Sequence, residues 1–189
     1  MKRLFLFAGV LTAFGLIVLA ASAQNKANFA GTWSLDKSKS QGLSQRMQGA
    51  DSVTWTITQD DKAISIDTRV TGGQPPAGGA PGAGGGGGMG GGTGGGRAMG
   101  PQSYNLDGTE TTSEIGGGQM TGKASNKATW SGSTLELMRK STFNGPNGEV
   151  TSTNSQKLSL SGDGKVLTAV VHSEGPRGPQ DSTLVFNKQ

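Results

Sequence analysis

From position 52 onward apolar and polar residues alternate with a period of two, the mark of strands with one buried face. SVTWTITQ puts Val53, Trp55 and Ile57 on one face against Thr54, Thr56 and Thr58, and AISIDTRV puts Ile64, Ile66 and Val70 against Ser65, Asp67 and Arg69. A first strand is predicted over 31–35, and further strands over 102–106, 110–115, 119–130, 134–143, 149–160, 165–172 and 181–187. A helical period is not sustained anywhere in this part of the chain, although 38–49 has room for one short helical turn. The pattern therefore predicts an all-β, antiparallel fold.

The connections alternate between two kinds. Residues 59–62, Asp107-Gly108, Ser131-Gly132-Ser133 and Ser161-Gly162-Asp163-Gly164 are short hairpin turns in which Gly or Asp accepts the required dihedrals. A Gly-rich stretch at 72–100, Gly116 to Gly118, Gly145-Pro146-Asn147-Gly148 and Gly175-Pro176-Arg177-Gly178 are looser. Every second connection of an up-and-down meander lies at the same end, so the tight turns share one end and the loose ones the other. Eight to ten such strands close most simply into a barrel, which removes exposed edges; a two-sheet sandwich is the alternative.

The stretch 72–100 holds half of the chain's 34 glycines and carries no hydrophobic pattern, so it reads as a flexible insertion in a single domain spanning 24–189. It is not a phosphate-binding loop, because Gly96 is followed by Arg97-Ala98 and by no helix-forming run. At the other extreme, Lys2 and Arg3 precede LFLFAGVLTAFGLIVLAA, which ends at Ala21-Ser22-Ala23. A basic start, an apolar run and a small-x-small triplet predict a signal peptide over 1–23, and a run barely reaching about 20 residues argues against a retained membrane helix.

Removing Lys2 and Arg3 brings the formal charge from +4 to +2, with the remaining basic residues scattered, so nucleic acid is not an expected partner. The absence of cysteine excludes disulfides and a lipidated cysteine at the cleavage point, which predicts a free periplasmic or extracellular monomer without a stable membrane anchor.

Little in the composition supports catalysis. His172 is the only histidine, no serine sits in a Gly-x-Ser-x-Gly elbow, and Asp163-Gly164 lacks the alternate ligands of a calcium loop. Asp60 and Asp61 fall in a turn, and parity sends Glu136 outward beside Leu135 and Leu137. The expectation is a protein that is not an enzyme, with no metal and no cofactor.

The opening NFAGTWSLDKSKS supplies a further clue. Gly31 and Trp33 on the first strand, with Lys188 on the last, resemble the lipocalin and wider calycin barrels, and Gly-Thr-Trp is also similar to avidin. The layout Phe-x-Gly-Thr-Trp-x-Leu-Asp-x-x-Lys-Ser, leading to a terminal Leu-Val-Phe-x-Lys, resembles exported bacterial lipocalin-like proteins. The resemblance implies that Trp33 packs across the closed end beside Lys188. It implies fold more than function.

Parity then separates two inward layers. Trp33, Ile57, Ile64, Leu135, Leu167 and Phe186, with Trp130 and Leu160, make an apolar floor at the closed end. Toward the open end the same faces carry Asn126, Arg139, Ser141, Asn154 and Gln156, which cannot fill a barrel by packing. Such a layer requires water, mutual hydrogen bonds or a ligand. The candidate site is Trp55, Tyr104, Asn126, Arg139, Asn154 and Gln156. The expected ligand is a small amphipathic molecule with its apolar body on Trp55 and Tyr104 and an anion at Arg139. The competing reading is an envelope or surface interaction module acting through the open-end loops. A one-residue slip of parity, which would set Arg139 outside beside Asp67 or Glu136, would remove the basis of the first reading.

Overall fold

A computed structural model describes residues 26–72, 97–117, 120–145, 148–176 and 178–189. The leader expected over 1–23 and most of the Gly-rich insertion lie outside the described residues.

The chain runs β1 (Gly31–Leu35), α1 (Gln45–Gly49), β2 (Ser52–Gln59), β3 (Ala63–Thr71), β4 (Arg97–Asn105), β5 (Thr111–Gly117), β6 (Met120–Ser131), β7 (Thr134–Gly145), β8 (Gly148–Leu160), β9 (Val166–Glu174) and β10 (Gln180–Lys188). All ten strands form one antiparallel sheet in the order β4-β3-β2-β1-β10-β9-β8-β7-β6-β5. The first strand pairs with the last, so the sheet wraps into a nearly closed barrel. Among the described residues its one break lies between β4 and β5, which follow each other in the chain but do not pair. The alternation thus gave the strands and the meander, while β4 begins at Arg97, where pairing with Val70 extends it beyond the predicted 102–106.

The tight turns are held as their sequences dictate. Asp60 Oδ1 accepts from the Lys62 and Ala63 amides, and Asp107 Oδ1 from the Thr109 amide at 2.8 Å. Those backbone donors, from Ala63 first, hold the Asp60 carboxyl below the usual carboxylate range.

The closed end is packed solid. Trp33 and Phe186 are completely buried, with Ile64, Leu135, Leu158 and Leu167 around them, each such side chain stabilising the fold by about 1.5–3 kcal/mol. Trp33 Nε1 donates to Phe29 O at 2.8 Å, and the Lys188 ammonium lies 5.3 Å over the indole, with Trp33 and Lys188 in register across β1 and β10. Gly31, Trp33 and Lys188 thus lie together at this end. Gly31 is required there: its φ of 140° disfavours a side chain, and a Cβ would meet Lys188 Cε at 3.1 Å.

Candidate functional site

The open half of the barrel is not filled. A cavity of about 370 Å3 lies there, within the size range of small-molecule sites. Trp55 and Leu184 give it an apolar wall; Arg139, Asn154 and Gln156 line it with polar groups. Parity holds without a slip on β7. Leu137 is buried, Arg139 is half-buried on the same face, and Ser141 follows it inward.

Arg139 is held by neutral groups. Its Nε donates to Ser141 Oγ at 3.3 Å and its Nη1 to Asn126 Oδ1 at 3.5 Å. None of the ion pairs among the described residues includes it. Enclosing a guanidinium without a counter-charge is unfavourable.

The six expected residues are not equivalent. Asn154 lies opposite Arg139 on β8, donating to Ser173 Oγ at 2.7 Å and accepting from Gln156 Nε2 at 2.9 Å. Gln156 Oε1 is left buried without a partner, as is Trp55 Nε1. Trp55 is only 4% exposed and packs against Phe186 with ring centroids 4.3 Å apart. Both atoms are sealed from solvent, so each carries a local cost of burial and is not open to the cavity. Asn126, buried beside Arg139, donates through Nδ2 to Ser103 O at 3.2 Å and so ties β6 to β4 across the break in the barrel. Tyr104 is deeper. Paired with Ile64 toward the closed end, it lines neither open-half cavity, and its hydroxyl donates to Gln102 Oε1 at 3.1 Å. Burial pushes its pKa up to about 12, opposed by the positive charge of Arg139.

Two parts of the surroundings were not among the expected site residues. The first is the β1–β2 connection, which folds back over the open end. Gln41 pairs with Thr183, Ser40 Oγ accepts from the Val185 amide, and the Lys37 ammonium donates to the carbonyls of Gln48 and Ala50. Met47 of α1 thereby packs on the core and lines the cavity with Gly42 and Ser44. The sequence signal was the apolar pair Leu43 and Met47, four apart in a polar stretch. The second is the β4–β5 break, occupied by a cavity of about 670 Å3 that also reaches Arg139. Asp181 likewise comes to the mouth of the open-end cavity, but its carboxylate is exposed and engaged by His172 Nδ1 at 2.6 Å.

Within the described residues no group of His, Cys, Asp or Glu could hold a metal, and no helix is long and apolar enough to cross a membrane. No protein-family model matches the chain, and comparison with curated proteins finds no match. Among solved structures the chain is similar to the ileal bile acid-binding protein of zebrafish complexed with cholic acid, at 14% identity and a TM-score of 0.44, over 85% of this chain and 98% of that one.

Proposed function

We propose that this protein is exported as a monomeric barrel and binds a small amphipathic acid in its open-end cavity. The observation that carries the reading is Arg139, a half-buried guanidinium on the cavity wall held only by Asn126 and Ser141. An acid group placed there supplies the missing negative charge and accepts charge-assisted hydrogen bonds. Trp55, Leu184, Val171 and Met47 offer the apolar body a surface. The unfilled open half favours this reading over an interaction module, for which a barrel closed by its own side chains would serve equally well.

Native mass spectrometry of the protein recovered from the exported fraction tests both halves of the proposal. The expected species begins at Gln24 and carries one small acid that is lost on denaturation. A chain retaining residues 1–23 contradicts the export reading; a mature chain that is uniformly ligand-free contradicts the binding reading.

A further inference from the structure

The break between β4 and β5 has features of a site. In the other strands the inward face carries buried apolar residues, whereas the described side chains of β5 include none that is buried. Thr111, Ser113 and Ile115 have inward parity through their pairing with Asn126, Ala124 and Gly122, yet they border a cavity instead of a neighbouring strand. Across that cavity lie Gln102, Ser103 and Asn105 of β4. Asn126 bridges the break through its side-chain bond to Ser103 O. Its Oδ1 meanwhile accepts from Arg139, whose guanidinium borders both the break and the open-end cavity.

A cation at the junction of two cavities constrains the ligand, because the break adds the hydroxyls and amides of Thr111, Ser113, Gln102 and Asn105 beside Pro101 and Ile115. We propose that the β4–β5 break is a second subsite of the same ligand, taking a hydrogen-bonding arm that branches from the anionic group at Arg139. The inference rests on the binding reading above and adds a substrate class to it: an amphiphile whose anion lies between an apolar tail and a polar arm, not at the end of a simple chain. The tail lies along Trp55 and Leu184, the anion meets Arg139, and the arm exchanges hydrogen bonds with Ser113, Thr111 and Gln102.

Two probes that differ only in the arm separate the possibilities. N-decanoylglycine has the tail and carboxylate; N-decanoylglutamine adds a carboxamide arm at the carbon bearing the acid. Calorimetric titration of the full mature chain should show the glutamine probe binding about tenfold tighter, the worth of one or two net hydrogen bonds. Ser113→Phe, at an exposed position, should fill the break and abolish that advantage while leaving N-decanoylglycine affinity unchanged, which also reports an intact fold. Equal binding of the two probes, or an advantage that survives Ser113→Phe, overturns the second subsite and leaves the amphipathic-acid reading in place. Failure of both probes to bind overturns both.

Discussion

Lys188, the penultimate residue, holds its ammonium 5.3 Å over the ring of Trp33, which lies on the first strand. The two residues are also direct partners across the β1–β10 ladder, so one contact joins the first and last strands at the floor of the barrel. The indole does three things at once: it fills the floor, donates to Phe29 O and presents a face to the cation. Trp33→Phe keeps most of the volume but leaves the buried Phe29 carbonyl unanswered, and should lower unfolding free energy by about 1–3 kcal/mol in urea titrations. Lys188→Met removes only the cation–π contact and should cost about 0.5–1 kcal/mol. Near-neutral Trp33→Phe would mean that closure does not depend on this residue.

Asn126 connects two functions that can be separated. Asn126→Leu removes the tie to Ser103 O and the acceptor for Arg139, leaving a carbonyl and a guanidinium short of partners. Urea unfolding should show a loss of about 1–3 kcal/mol. Binding of decanoate should also weaken, because Arg139 is no longer positioned. Loss of stability with full retention of affinity would show that Asn126 holds the break alone.

The strands, the turns and the inward direction of Arg139 could be read from the sequence because each depends on local alternation and turn chemistry. Trp33 and Lys188 could be paired because a meander brings its termini together. The failure of β4 and β5 to pair was not legible in the same way. Strand pattern specifies which side of Thr111 and Ser113 faces inward, but whether two consecutive strands join depends on how far the remaining sheet wraps. The same limit applies to Tyr104. Its depth depends on register with Ile64, which alternation does not fix. The covering of the open end by Met47 depends on the contacts of Gln41 with Thr183, remote in sequence.

His172 sits between two carboxylates, Asp181 at 2.6 Å and Glu174 at 3.5 Å. The hydrogen bond to Asp181, then that to Glu174, raises its pKa above the ordinary 6.5. A group whose pKa is raised on folding stabilises the native state fully below its unfolded value and ceases to do so as pH rises through its folded value. Stability should therefore decline above about pH 6.5 as His172 loses its proton. Comparing thermal midpoints of the native chain and His172→Asn across that range isolates the effect: the difference between them should shrink as pH rises. A constant difference would mean that His172 is not linked to folding.

The most direct measurement is the affinity of Arg139→Met for decanoate, set beside that of the native chain in the same calorimetric titration. Methionine keeps the length and apolar stem of arginine without its charge, and Asn126 remains tied to Ser103 O, so the fold should stand. The account predicts binding by the native chain and a loss of about ten- to a hundredfold in the variant, the worth of a hydrogen bond to a charged group. Equal affinities, or no binding by either protein, would contradict it.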